Sequence, residues 1–287
     1  MSSQAAQLLA PGVRPRLGSF HFVELDGKTV LLTGATGGLG RAIATAIAGR
    51  GATLVLSARK PEALQELADS LPGEGHRTLV SDLAREGAAE RLAADASAVD
   101  ALVANAALPA GGRLERFSQE ELTASLRVNL EAPVKLAREL VPPMRQRGAG
   151  HLAFISSLQG KVAFANSSVY TATKFGLRGF GLALRDELWG SGLGVSVVLP
   201  GFIREAGMFA RSGRSAPAGL GTSSPAEVGE AVVAAIERNR AEVEVAPVLQ
   251  RLGVAFAHRR PRIASRVTRG AAGRVADEVA RGQKGER

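Results

Sequence analysis

Cysteine is absent from all 287 residues, which excludes disulfides, thiolate nucleophiles and cysteine-ligated metals, and leaves the redox compartment undetermined. Histidine is nearly as scarce. His21, His76, His151 and His258 lie far apart without a His-x-x-x-His pair, so no metal site is expected and isolated surface or strand-end roles suit them better. No apolar run approaches the roughly 18 residues of a membrane span. The first 25 residues place Pro11, Arg14, Pro15 and Arg16 where a signal peptide needs its apolar stretch, so a cytoplasmic location is expected. Aromatic residues make up only 4%, with one tryptophan and one tyrosine.

That single tyrosine has a lysine four positions on, in Tyr170-Thr171-Ala172-Thr173-Lys174. On a helix the two share a face. A nearby cation favours phenolate, so the pair predicts a lowered phenol pKa and a general acid/base. Alone, the spacing would fit any helix surface; its weight comes from the motifs around it.

At 45% hydrophobic, the chain can bury one large core, and one α/β domain is expected. The net charge of +9 is uneven. Residues 251–287 hold ten basic and three acidic side chains, +7 of that total. The basicity therefore belongs to a tail, which argues against a nucleic-acid-binding fold.

Short apolar runs alternate with helical patterns, the mark of a parallel sheet covered on both faces. Strands are expected at Thr29–Thr33, Thr53–Ser57, Thr78–Val80, Ala101–Ala104, His151–Ser156, Val195–Leu199 and Glu242–Val245. Helices are expected from the glycine turn to near Gly51, from Pro61 to about Ser70, from Ser168 to Ser191, and from Pro225 to Arg238. A further long helix is expected from Gln119 to Val141, kinked at Pro133 and stopped by Pro142-Pro143. The result is a Rossmann-type, doubly wound α/β/α fold. Residues 1–25 read as an extension, 26–246 as one α/β domain and 247–287 as a basic tail. Arg259, Arg262, Arg266 and Arg269 recur there at helical steps beside Ile263 and Val267. Such a helix can lie on an anionic membrane or an acidic partner, although a solvated helix or disordered end is the plainer reading.

Between the first strand and first helix stands Thr33-Gly34-Ala35-Thr36-Gly37-Gly38-Leu39-Gly40. Glycines there allow a tight turn and let a pyrophosphate approach the helix N-terminus. The run lacks the Gly-Lys-Ser/Thr ending of a P-loop. After the second strand, Leu56-Ser57-Ala58-Arg59-Lys60 offers no acid for a ribose 2′-hydroxyl and an arginine for a 2′-phosphate, so NADP(H) is favoured over NAD(H).

These motifs resemble the short single-domain branch of the short-chain dehydrogenase/reductase family, over roughly residues 26–246. The family's Thr-Gly-x-x-x-Gly-x-Gly matches Thr33, Gly34, Gly38 and Gly40; its adenine-binding acid matches Asp82, followed by Leu83. Asn105 and Ala106 meet part of its Asn-x-Ala-Gly loop, with Ala107 departing from it. Asn129 matches the asparagine that holds a relay water, and Ser157, thirteen residues before Tyr170, the catalytic serine. Pro200-Gly201 matches the motif after strand six, while Glu205 stands where many members place a threonine that binds the nicotinamide carboxamide.

The resemblance implies catalytic roles for Ser157, Tyr170, Lys174 and Asn129, with Ser157 also touching substrate. It implies cofactor contacts from Gly34, Thr36, Gly38, Leu39, Gly40, Arg59, Asp82, Leu83, Asn105, Tyr170, Lys174, Pro200 and Ile203. The implied activity is reduction of a ketone or aldehyde, or oxidation of a secondary alcohol. Ile203, Met208, Phe209 and Leu220 suggest an apolar, lipid-like substrate, although Arg204, Arg211 and Arg214 share the same loop. A catalytically silent cofactor-sensing or scaffolding protein is the alternative, and a sugar-nucleotide epimerase or dehydratase a third. The intact Ser157, Asn129, Tyr170 and Lys174 set favours the enzyme. Phe175, Leu182 and Trp189 form a second apolar stripe on the tyrosine helix, open to either a neighbouring helix of the same chain, such as Gln119 to Val141, or the matching helix of a second subunit, and a homo-oligomer is the favoured expectation.

Overall fold

A computed structural model describes residues 24–96, 98–205, 220–263 and 266. Seven strands form one parallel sheet: β1 Thr29–Thr33, β2 Thr53–Ala58, β3 Arg77–Val80, β4 Ala101–Ala104, β5 Gly150–Ile155, β6 Leu193–Pro200 and β7 Glu242–Val245. Their order is β3-β2-β1-β4-β5-β6-β7. The chain winds outward from β1 to β3, then returns to place β4 on the other side of β1. Ligands bind at such a reversal, outside the carboxyl ends of the strands.

The helices among the described residues are α1 Gly38–Ala48, α2 Pro61–Ser70, α3 Ala88–Ala96, α4 Gln119–Leu126, α5 Ala132–Arg147, α6 Ser168–Glu187, α7 Pro225–Glu237 and α8 Val248–Arg259. Successive strand residues face opposite layers. Val30, Leu32, Leu54 and Leu56 pack with Ile43, Ile47, Leu64 and Val232 of α1, α2 and α7. Leu31, Val55, Leu102 and Leu152 pack with Leu92, Leu136, Met144 and Leu177 of α3, α5 and α6. The central strands are buried on both faces, which accounts for their continuous apolar runs. The expected three-layer α/β/α fold is present.

Several elements differ from expectation. The long helix from Gln119 is three pieces: α4, a π-helical turn at Arg127–Glu131, and α5, which has Pro133 in its first turn. Pro142 and Pro143 do not stop α5. They sit on its exposed side, while Leu140 and Met144 anchor the same stretch in the core. Packing outweighs the two lost hydrogen bonds, and Gly148, at φ 68°, ends the helix instead. The α3 helix was not anticipated; four alanines frame Leu92 on its inner side. Leu182, expected on an outward stripe, packs against Leu158, Val162, Val197, Leu199 and Val254, whereas Phe175 and Trp189 are exposed.

Residues 248–259, read as the start of the tail, form α8 and dock on the sheet domain through Val254 and Gln250. The terminal residues 1–23, the loop residues Met208, Phe209, Arg211 and Arg214, and Val267 and Arg269 lie outside the described residues.

Candidate functional site

The glycine turn leaves β1 and opens α1 beneath the carboxyl edge of the sheet. Gly34 has φ 64°, and a Cβ on it would stand 2.7 Å from the Cα of Ala106. A Cβ on Gly40 would lie 2.2 Å from the carbonyl oxygen of Gly34. Only glycine allows these approaches. The N-cap of α1 is Gly37, so no side chain caps the helix, and its first turn holds no acid. Its leading amides are thus available to an anion, with Thr36 and Leu39 beside them, an arrangement that fits a dinucleotide pyrophosphate.

Asn105 locks this turn to the end of β4. Its side-chain amide donates to the carbonyls of Thr33 and Gly34, both at 3.1 Å. The Thr33 hydroxyl accepts in return from the backbone N–H groups of Asn105 and Ala106, also at 3.1 Å. At the ends of β2 and β3 stand Arg59 and Asp82. Arg59 is exposed and has no carboxylate partner among the described residues. Asp82 accepts from the amide of Ala84 at 3.2 Å and faces Arg85 at 3.7 Å, with Leu83 buried beside it.

Asn129 sits in the π-helical turn and is 1% exposed. Its side chain accepts from the amide of Leu108 at 2.7 Å and donates to the Leu108 carbonyl at 3.0 Å. The side chain is therefore a brace for the loop after β4. Pro133, four positions on, has no N–H to offer the Asn129 main-chain carbonyl.

Two adjacent serines end β5 and divide the work. Ser156 is buried and donates to the main-chain carbonyl of Lys174 at 2.8 Å, fastening α6 to the strand. Gly160 lets α6 come this near, since a Cβ there would be 2.9 Å from the same carbonyl. Ser157 turns its hydroxyl to the site. It lies next to the Tyr170 side chain, accepts from the amide of Gln159 at 3.1 Å and reaches the Pro200 carbonyl at 3.4 Å. Gln159, which sequence reasoning passed over, also accepts from Ser167 and Thr171 at 2.8 and 3.3 Å. It joins the serine loop to the first turn of α6.

Tyr170 and Lys174 share a face of α6 as their spacing predicts, with the lysine nitrogen 5.6 Å from the ring centroid. The expected lowering of the phenol pKa is not found. Burial pushes Tyr170 up to about 12, with the Ser157 hydrogen bond opposing, although part of the residue still meets solvent. The ammonium is instead directed at the carbonyl of Ile155, 2.9 Å away. Burial brings Lys174 down to about 8.

A protein-family model described as short chain dehydrogenase matches residues 28–216. The chain belongs to the short chain dehydrogenase family. A ketoacyl reductase of Nostoc sp. (HetN) is 38% identical over 227 residues, covering 77% of this chain and 79% of that one. The 3-oxoacyl-[acyl-carrier-protein] reductase FabG of Escherichia coli is 34% identical over 184 residues, covering 63% and 75%. Among solved structures, a short-chain dehydrogenase from Sphingobium yanoikuyae in complex with NADPH has a TM-score of 0.72 at 27% identity, covering 83% of this chain and 95% of that one. A metagenomic short-chain oxidoreductase in complex with NADP has a TM-score of 0.65 at 30% identity, covering 79% and 100%. This short chain dehydrogenase is accordingly an NAD(P)-dependent oxidoreductase acting on CH–OH groups.

Two of its departures from the family pattern have visible consequences. The loop Asn105-Ala106-Ala107-Leu108 lacks the family's glycine without strain, because neither Ala107 nor Leu108 is in the left-handed region. Glu205 is in that region, at φ 66°, where a non-glycine residue is disfavoured. Its carboxylate pairs with Arg204 at 3.2 Å, so the negative charge is partly offset.

Gln250 is the residue that no motif announced. Only 5% exposed on α8, it accepts from the amide of Phe202 at 3.2 Å and donates to the carbonyls of Leu220 and Gly221 at 3.2 and 2.7 Å. One amide thus holds both stems of the loop after Pro200-Gly201. Ile203, buried at 4%, bridges to Ser223 within the same pair of stems.

Proposed function

We propose that this enzyme reduces the keto group of an apolar, acyl-type molecule with NADPH. The single observation behind this reading is the meeting of Ser157, Tyr170 and Lys174 at the carboxyl edge of the sheet, beside an uncapped glycine turn. The bound nicotinamide would supply a hydride to the carbonyl carbon. Ser157 would donate to the carbonyl oxygen and stabilise its growing negative charge, a contribution of roughly 3 kcal/mol for a well-placed donor. Tyr170 would give that oxygen its proton. Lys174, as a cation beside the ring, would favour the phenolate left behind and, turned outward, bind the ribose. The Asn129 carbonyl, which Pro133 cannot occupy, would hold the water that returns a proton. Alcohol oxidation runs through the same groups in reverse.

The preference for NADP(H) is supported by the unpaired Arg59 after β2, and by the NADPH and NADP carried by two similar structures. A 3-oxoacyl substrate is supported by the ketoacyl and 3-oxoacyl reductases among the relatives. Gly34, Thr36, Gly38, Leu39, Gly40, Asp82, Leu83, Asn105, Pro200 and Ile203 would line the remaining cofactor surface. We further propose a homo-oligomer that covers the outer side of α6, where Phe175 is 38% and Trp189 71% exposed.

A panel of 3-oxoacyl thioesters, ketones and aldehydes, offered with NADPH or NADH, tests the activity through loss of the reduced cofactor's absorbance. Acyl thioesters with NADPH should be turned over fastest. Silence across the whole panel, with cofactor still bound, would favour the non-catalytic alternative.

A further inference from the structure

Helix α8 is apolar on two opposite sides. Its inner side buries Gln250 and Val254, the latter against Leu158, Val162, Val197 and Leu199. On the outside, Val248, Leu249, Leu252 and Phe256 are 66, 54, 61 and 51% exposed. At about 100° per residue those four fall within an arc of roughly 100°, on the side of the helix away from the buried pair. A helix that only closes a domain turns charged residues outward. A contiguous row of large apolar side chains in that place marks an interaction surface.

The charges along the helix and just past it have one sign. Residues 245–263 contain four arginines and no aspartate or glutamate. Arg251 is tied to Glu244 at 3.0 Å. Arg259, Arg260 and Arg262 are exposed and have no carboxylate partner among the described residues. Ile263, at 49% exposure, continues the apolar character past the end of the helix.

We infer that the outer ridge of α8 docks on an anionic lipid surface. The apolar side chains would enter the boundary between headgroups and acyl chains, while the arginines meet phosphate and carboxylate groups. A second copy of the chain fits less well, because a two-fold contact would set the same arginines against one another. An acidic protein partner fits less well too. The exposed apolar row runs along a single helix, and a bilayer needs no shape match. The inner side of the same helix holds the stems next to Pro200-Gly201 through Gln250. Docking would therefore bring the mouth of the site near a reservoir of apolar molecules.

The test is flotation of the full chain with vesicles of phosphatidylcholine, with or without phosphatidylserine, in the absence of cofactor and substrate. It therefore stands or falls apart from the reductase activity. Binding should be about tenfold greater with phosphatidylserine present and should weaken as salt is raised. Leu252→Glu combined with Phe256→Glu should lower it by about tenfold, with the circular dichroism melt unchanged. Should that variant fold poorly, Arg259→Gln, Arg260→Gln and Arg262→Gln together must lower binding to the same vesicles. Equal recovery with both vesicle types, or undiminished binding by the folded variants, overturns the inference. So does a lipid-free dimer that Leu252→Glu splits, since a second copy would then cover the ridge. Retention on immobilised polyglutamate without binding to vesicles would assign the surface to an acidic protein instead.

Discussion

The ammonium of Lys174 donates to the main-chain carbonyl of Ile155 at 2.9 Å, which ties the charge to the end of β5, 5.6 Å from the centroid of the Tyr170 ring. Both side chains are shifted by the same cause, burial, in opposite directions: Tyr170 up to about 12 and Lys174 down to about 8. A neutral phenol is thus the resting form throughout the neutral range, as a proton donor requires. The titrating partner is the lysine. Below pH of about 8 it is charged and helps the phenolate form after proton transfer; above that it is neutral. Carbonyl reduction should therefore decline as pH rises through about 8. Lys174→Arg, with a charge that persists, should lower the rate but remove that descending limb. A kcat/KM profile of the variant with the limb unmoved would assign it to another group.

Tyr170→Phe isolates the hydroxyl, because the ring and its packing remain. Loss of a positioned proton donor costs on the order of 10²–10⁴-fold in turnover. The variant should still bind cofactor, as measured by quenching of protein fluorescence. Turnover close to the unmodified rate would remove Tyr170 from the mechanism.

Cofactor choice should turn on Arg59, which stands exposed just after β2. Arg59→Asp replaces attraction with repulsion and should lower kcat/KM for NADPH by about tenfold while sparing NADH. An unchanged NADPH/NADH ratio would leave Arg59 as a solvated loop residue.

The sheet was legible because a parallel, doubly covered strand must be apolar almost throughout, and runs such as Leu54–Leu56 say so directly. Tyr170 and Lys174 were legible from their spacing of four on a helix, whereas Ser157 was singled out by the family resemblance, through its place thirteen residues before the tyrosine. The orientation of Lys174 was not legible. A spacing of four places two side chains on one face, but cannot show that a strand-end carbonyl competes for the ammonium. Pro142 and Pro143 misled because local propensity predicts a stop, while burial of Leu140 and Met144 decides the outcome. Gln250 left no trace, since a single glutamine in an arginine-rich segment reads as solvated surface until the fold encloses it.

That enclosure makes Gln250 a positioning residue with a measurable signature. Gln250→Leu keeps much of its volume but removes the hydrogen bonds to the amide of Phe202 and to the carbonyls of Leu220 and Gly221. Each such bond contributes about 0.5–1.5 kcal/mol. The melting temperature should fall, and KM for the acyl substrate should rise more than kcat falls. Gln250→Glu keeps the acceptor toward Phe202 but loses the donor to Gly221, so it should recover only part of the effect. Equal losses in both variants, with KM unmoved, would reduce Gln250 to a purely structural role.

Acid should destabilise the protein through a residue on the opposite edge of the sheet from the site. His151, at the start of β5, is fully buried, with Nε2 2.9 Å from the Ser196 hydroxyl and Nδ1 unpartnered among the described residues. A Cβ on Gly194 would stand 2.3 Å from Nδ1, so there is little space beside it. Burial first, and the Arg185 guanidinium second, bring the ring down to about 3 from its ordinary 6.5. The unfolded chain therefore takes up a proton at higher pH than the folded one. The stabilisation is fully present above pH 6.5 and is lost as pH falls from there toward about 3. At about 1.4 kcal/mol per pKa unit the full loss is several kcal/mol. His151→Gln cannot titrate and keeps a polar tip for Ser196, so it should flatten the dependence of the urea midpoint between pH of about 6.5 and 4. A midpoint that falls equally steeply in variant and unmodified protein would place the acid sensitivity in the carboxylates instead.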